Sequence, residues 1–106
     1  MNTEERLHKY LTNAPRNWAQ CVPSITCEDG FRMSVQASEH HYCHPRINHG
    51  PWETVEVGFP SKIEPLLWDY AEDRGDLTST VYPYVPSRLV AAVIEVHGGF
   101  SVQDGP

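Results

Sequence analysis

The chain has 106 residues, of which 40% are hydrophobic and 21% charged, so its length is that of one domain and its composition excludes wholesale disorder. Fourteen acidic and eight basic residues give a formal net charge of −6, which disfavours direct binding to nucleic acid or to an anionic membrane and favours a partner protein with a basic surface. Three cysteines cannot all form disulfides with one another, and the sequence shows neither a secretory leader nor an apolar run of membrane-spanning length. We therefore expect the protein to act in a reducing cytoplasm.

The first predicted element is an amphipathic helix over residues 2–14. Its apolar side chains recur at a spacing that places them on one face: Leu7, Tyr10, Leu11 and Ala14. Asn2 and Glu5 have the spacing of a capping box, and Pro15 is expected to end the helix.

A β-hairpin is predicted next, with strands over 18–25 and 31–37 joined by the turn sequence CEDG. The second strand alternates clearly between apolar and polar positions, with an inward set of Phe31, Met33, Val35 and Ala37. The register we favour places Val22 opposite Val35 and turns Cys21 away from the core.

A polar loop over 38–52 leads to a third strand over 53–59, whose inward positions are Val55, Val57 and Phe59. A helix is then predicted from Pro65 to a stop at Gly75, because proline is well suited to the first turn of a helix and glycine to its end. The sequence TVYPYVP is interpreted as a connection whose aromatic rings pack against the core.

A last helix is predicted to begin near Pro86 or Ser87 and to end at Gly98-Gly99. The order α-β-β-β-α-α predicts an α+β fold, in which an antiparallel sheet of about three strands packs against two or three helices. We expect residues 1–106 to form a single domain with a flexible tail over 100–106.

The segment SEHHYCHPR concentrates candidate metal ligands: His40, His41, Cys43 and His44. Zinc favours nitrogen and sulfur ligands, so this loop is a candidate zinc site, although the spacing from Cys21 to Cys27 is wider than in zinc knuckles. The other interpretations are a solvated loop whose imidazoles bond locally, and a nucleophilic Cys43 activated by His41 or His44. No cofactor is otherwise predicted.

A second cluster lies in EPLLWDYAEDRGD, where five carboxylates accompany one arginine. This cluster is either a solvated helix face or an acidic surface with an aromatic anchor for a basic partner. The predicted partner-binding residues are Glu64, Trp68, Asp69, Glu72, Asp73 and Asp76. Nucleotide-binding loops, nucleophile elbows and zinc-protease motifs are all absent from the sequence, and we therefore expect a protein that is not an enzyme.

Residues 55–99, from VEVGFPSKIEPLLWDYAED through TVYPYVPSRLVAAVIEVHGG, resemble small uncharacterised proteins encoded in bacteriophages and prophages. The resemblance carries no catalytic residues, but it implies a setting in the host cytoplasm. Proteins of that size and charge often bind and block host machinery, anti-CRISPR proteins among them.

The leading hypothesis is therefore a phage-type accessory protein that blocks a host protein, such as a defence or nucleic-acid-handling complex, through an acidic surface. One alternative is a small zinc-binding module or enzyme centred on residues 40–44. The other is a structural or assembly protein of a virion. Composition leaves the oligomeric state and the identity of the partner open.

Overall fold

The structure, a computed structural model, describes residues 1–101 and has an α+β fold. A four-stranded antiparallel sheet in the order β1-β2-β3-β4 is accompanied by three helices, which confirms the predicted fold class with one strand more than expected. The elements in chain order are α1 (Thr3–Asn13), β1 (Ile25–Thr26), β2 (Arg32–Gln36), β3 (Thr54–Gly58), a 3-10 helix (Pro65–Tyr70), β4 (Val81–Pro86) and α2 (Ser87–Val96). Within the described residues, no helix combines the length and apolar character needed to cross a membrane.

One hydrophobic cluster connects the sheet to the helices. The inward positions predicted for β2 are all buried, as are Val55 and Val57 of β3. Helices α1 and α2 pack against each other and add their own buried side chains: Leu7, Leu11, Val90, Val93 and Ile94. The two amphipathic helices were predictable because the apolar stripe of each is visible in the sequence and is the face that packs into the core.

The helix ends form as predicted. The Asn2 side chain accepts from the Glu5 amide at 2.8 Å, and the Glu5 side chain accepts from the Asn2 amide at 3.0 Å, which completes the capping box. At the end of α2, Gly98 and Gly99 adopt φ values of +93° and +91°, which glycine reaches without the cost of a Cβ clash.

The prediction that TVYPYVP is a connection is wrong, because residues 81–86 form the edge strand β4. The strand tolerates Pro83 because the register with β3 shifts between Val55 and Val57, where a bulge removes the need for the missing donor. Tyr84 has a φ of +54° at this irregularity, and its amide donates to the Tyr42 carbonyl of the preceding loop.

The first strand is shorter than the predicted 18–25 and pairs Ile25 with Met33. Gln20 has a φ of +64°, which turns the chain before Cys21. Val22 does not lie in a ladder opposite Val35. Instead, the Gln36 side chain accepts from the Val22 amide and donates to the Val22 carbonyl, both at 2.8 Å. A side chain thus replaces the strand pairing, which the apolar pattern does not reveal.

The helix predicted from Pro65 to Gly75 is a single 3-10 segment that ends at Tyr70. Asp69 lies in its last turn and Glu72 and Asp73 follow its end, where the helix dipole is unfavourable for negative charge. The next amides bond to the strand instead, because Glu72 donates to the Val81 carbonyl and Asp73 to the Thr80 hydroxyl.

Two further expectations concern single residues near chain turns. Phe59, predicted to point inward, has a φ of +49° and is 59% exposed. Phe100, assigned to the flexible tail, forms a bridge with Cys27, and the Ser101 amide donates to the Thr26 carbonyl. The remainder of the predicted tail, 102–106, lies outside the described residues.

Candidate functional site

Five of the six predicted partner-binding residues lie exposed around the end of the 3-10 helix and the turn that follows. We call this set the acidic surface: Trp68, Asp69, Glu72, Asp73 and Asp76. Trp68 and Asp69 line a shallow cavity of about 280 Å³ together with Arg74 and Leu77. The Asp73 carboxylate accepts from the Gly75 amide at 2.9 Å, and this bond orders the turn.

The carboxylates of the acidic surface are not neutralised by neighbouring cations. Across residues 1–101, no Lys or Arg side chain forms an ion pair with any of them. Arg74, the nearest cation in sequence, donates to the Asp69 carbonyl at 3.3 Å rather than to a carboxylate. The surface therefore presents negative charge whose attraction to a partner is not already used within the protein.

Exposed apolar side chains occupy the segment that leads into the acidic surface and ends at Trp68, the aromatic member of that surface. Phe59, Ile63, Leu66 and Trp68 are between 44% and 59% exposed. Single exposed apolar residues are ordinary, but four within ten positions beside unpaired carboxylates resemble the composition of a protein-binding surface. Sequence periodicity missed Phe59 and Leu66 because it assumed a regular strand end and a regular helix.

Glu64 does not share this exposure. Its side chain is buried, and one carboxylate oxygen accepts from the Leu66 amide at 3.0 Å, which caps the 3-10 helix. The other oxygen lies 2.6 Å from His97 Nε2. Glu64 therefore positions the acidic surface from within the protein, and a partner docked on that surface would not reach its carboxylate.

His97 is held on both ring nitrogens. Nδ1 lies 2.6 Å from the Asp29 carboxylate and Nε2 lies 2.6 Å from Glu64, while the ring stacks on Phe31 at a centroid distance of 4.1 Å. Because both partners are carboxylates, this geometry favours the doubly protonated imidazolium over the neutral ring. We call Asp29, Glu64 and His97 the histidine clamp; it joins the hairpin turn, the 3-10 helix and the end of α2.

The pKa values within the histidine clamp follow from this geometry. Burial lowers the pKa of His97, but the hydrogen bonds and charges of Asp29 and Glu64 outweigh it and raise the pKa above its usual value. The pKa of Asp29 is lowered, first by the bond from the Phe31 amide and then by the bond from His97. The sequence identified His97 only as a helix end, because nothing local indicates carboxylates 33 and 68 positions away.

The histidine-rich loop does not bring its four predicted metal ligands together. His40 and His44 are exposed, and His40 lies 3.4 Å from Glu39. His41 and Cys43 are buried and bonded to the protein, with Cys43 Sγ 3.2 Å from the Ser38 carbonyl. Among the described residues, no group of three or more His, Cys, Asp or Glu side chains has a geometry that could hold a metal ion.

Cys43 also lacks the surroundings of a nucleophile. The thiol is buried, and burial raises its pKa. Its neighbour His41 points elsewhere: Nε2 lies 3.5 Å from Cys21 Sγ, and Nδ1 lies 2.7 Å from the Ser38 hydroxyl. The loop therefore folds back onto Cys21, the cysteine that the predicted hairpin register turns away from the core.

Comparison of the chain with models of protein families, with curated proteins and with solved structures finds no match.

Proposed function

We propose that the protein is a phage-type accessory protein that binds and blocks a host protein with a basic surface, acting in the host cytoplasm without catalysis in this role. The observation that carries the proposal is the acidic surface: four exposed carboxylates, none paired with a Lys or Arg side chain within residues 1–101, follow Trp68 in the chain, and Trp68 is 49% exposed. Tryptophan and charge complementarity are the features that anchor and orient protein interfaces. The resemblance of residues 55–99 to phage and prophage proteins supports the setting.

The architecture suits a pre-formed docking surface. The 3-10 helix is capped at its start by Glu64, and the histidine clamp fixes that residue to the end of α2. The Tyr70 and Ala71 side chains pack against the core, so the exposed side chains project from an anchored segment. A rigid surface loses less conformational entropy on binding than a mobile one.

Two charge-reversal variants distinguish the effect of the acidic surface from the effect of the net charge. The test variant carries Asp69→Lys, Glu72→Lys and Asp76→Lys, whose carboxylates make no hydrogen bond in residues 1–101. The control carries Glu28→Lys, Glu39→Lys and Glu53→Lys, three exposed carboxylates on other parts of the chain. Each reversal changes the charge by two, so both variants have a formal net charge of zero, starting from −6.

Both variants and the unchanged protein are used to capture proteins from host lysate treated with nuclease, and each captured protein is then purified and titrated by calorimetry. We expect at least one basic partner whose affinity falls tenfold or more for the test variant, falls little for the control, and decreases with salt. Trp68→Ala should weaken the same partner without changing the salt dependence. Equal binding by both reversal variants would refute the proposal, and self-association in light scattering without such a partner would favour virion assembly.

A further inference from the structure

A chain of three side chains leads from a half-buried thiol to a fully buried hydroxyl. Cys21 Sγ lies 3.5 Å from His41 Nε2, and His41 Nδ1 lies 2.7 Å from Ser38 Oγ. His41 is 8% exposed and Ser38 is fully buried, so burial and the bond to Ser38 hold the imidazole in one orientation. A nucleophile, a base within hydrogen-bond reach and a group that orients the base are the arrangement required for nucleophilic catalysis.

Ser38 permits His41 to act as a base. A hydroxyl both donates and accepts, so it can donate to an unprotonated Nδ1 or accept from a protonated one. In the second arrangement Nε2 is free to receive the thiol proton from Cys21, and the resulting imidazolium still donates to Ser38. The Ser38 oxygen also accepts from the His40 amide at 3.0 Å, which fixes its position.

The loop that carries Cys21 is fixed by its own hydrogen bonds. The Arg16 guanidinium donates to three carbonyls, those of Leu11, Gln20 and Ala37, and so ties the loop to α1 and to the end of β2. The Asn17 side-chain oxygen accepts from the Ala19 amide at 2.8 Å and from the Cys21 amide at 3.0 Å. This rigidity keeps the thiol beside the imidazole.

Cys21 lines a small cavity of about 300 Å³, together with Pro15, Arg16, Asn17, Val22 and Pro23. Because the Asn17 oxygen is occupied by two amides, its NH₂ group is left to face outwards, and it has no partner within residues 1–101. An amide donor on a residue that lines the same cavity as the nucleophile is suited to a carbonyl oxygen that gains negative charge during attack. The proline and valine walls suit a short acyl chain.

We propose that Cys21 is a nucleophilic thiol, with His41 as its base, that takes an acyl group from an activated acyl donor such as a thioester or an aryl ester. Sγ attacks the carbonyl carbon, the S–C bond forms and the thiol proton passes to His41 Nε2. The bond to the leaving group then breaks, and that group takes the proton from Nε2 and departs as a thiol or phenol. The product is S-acylated Cys21, and no oxidant or reductant is needed.

The other two cysteines provide an internal comparison. Cys27 and Cys43 are buried, and burial raises the pKa of both, to about 11 for Cys27. Neither has a histidine nitrogen within hydrogen-bond distance. They should therefore react slowly in the folded protein with any electrophile that Cys21 accepts.

The probe is p-nitrophenyl acetate. Its reaction is measured by the release of p-nitrophenolate, and the acetylated cysteine is identified by peptide mass spectrometry. We expect Cys21 to be acetylated at least tenfold faster in the folded protein than in the urea-unfolded protein. Cys27 and Cys43 should react more slowly when folded than when unfolded. Cys21→Ser should abolish the rapid phase.

His41→Gln should slow acetylation of Cys21 by about 100-fold, which is the scale of general-base catalysis. The matched control His40→Gln changes the neighbouring, exposed imidazole and should react as the unchanged protein does. The comparison of folded with unfolded protein needs no substitution, so it decides the matter even if His41→Gln fails to fold. Acetylation of Cys21 no faster in the folded chain, or equal rates for both glutamine variants, would overturn the proposal. The charge-reversal variants should acetylate normally, so this proposal and the docking proposal can fail independently.

Discussion

His97 is the residue on which three distant segments of the chain depend. Its pKa is raised in the folded protein, because the bonds to Asp29 and Glu64 outweigh burial. A group with a raised folded pKa contributes stability that is fully present below its unfolded pKa, about 6.5, and is lost as pH rises through the folded value. We therefore expect the contribution of His97 to the free energy of unfolding to fall as pH rises above that range.

The measurement is the difference in the free energy of unfolding between the unchanged protein and His97→Phe, determined by urea denaturation from pH 5 to pH 9. Phenylalanine retains the stacking on Phe31 but removes both hydrogen bonds. A difference measurement is needed because burial lowers the pKa of His41, whose contribution changes with the opposite sign over the same pH range. A difference that stays constant with pH would show that folding leaves the pKa of His97 unchanged.

Thr54 presents the opposite case, a polar atom without a partner. Its Oγ1 is buried and, among the described residues, is the one buried side-chain polar atom with no hydrogen bond. Its backbone amide and carbonyl bond to His44 and do not depend on the hydroxyl. A buried unsatisfied hydroxyl costs about 1–3 kcal/mol, and valine has nearly the same shape with a high strand propensity.

We therefore expect Thr54→Val to raise the free energy of unfolding by about 1 kcal/mol, measured as a shift of the urea midpoint at constant slope. Thr54→Ser retains the hydroxyl and loses a methyl group, and should be destabilising. A destabilised valine variant would mean that Oγ1 has a partner in solution.

At the scale of elements, the Gln36 side chain of β2 takes the place of strand pairing with the segment before β1. Gln36 is buried and pairs with both backbone groups of Val22, each at 2.8 Å. Gln36→Met preserves length and removes both partners, which leaves a buried amide and a buried carbonyl unsatisfied. We expect a loss of about 2–4 kcal/mol in the free energy of unfolding. A loss below about 0.5 kcal/mol would show that water replaces the side chain.

The elements that were predicted correctly are those specified by a local, repeated pattern. The stripes of α1 and α2 and the alternation of β2 each indicate which side chains are buried, and the capping box fixes the start of α1. Periodicity failed at β4 because a proline at a bulge interrupts the alternation of VYPYVP, and at 65–75 because the acidic residues end the helix early. The exposed carboxylates of the candidate site were predictable from composition. The pairing of His41 with Cys21, and of His97 with Glu64, depends on tertiary folding that spacing along the chain does not encode.

At the scale of the whole molecule, negative charge is unbalanced and largely unpaired. The formal net charge is −6, and in residues 1–101 each of the four close contacts between a basic and an acidic side chain is made by a histidine, so no lysine or arginine pairs with a carboxylate there. The lysines and arginines bond to carbonyls, to hydroxyls or to aromatic rings, or remain in solvent. Repulsion between carboxylates therefore opposes the compact state more than attraction to cations supports it.

Salt should accordingly stabilise this protein. The distance over which charges interact falls from about 30 Å at 0.01 M ionic strength to about 8 Å at 0.15 M, so repulsion across the surface is screened while the short bonds of the histidine clamp are affected less. We expect the melting temperature to rise over this range of NaCl at pH 7.

Neutralising Asp69, Glu72 and Asp76 to the corresponding amides should raise the melting temperature at low salt and flatten its salt dependence. The same change at Glu28, Glu39 and Glu53 gives an equal net charge and should have a smaller effect, because those carboxylates lie far apart in the sequence. A melting temperature that falls with salt would show that attraction between charges, and not repulsion, dominates the folded protein.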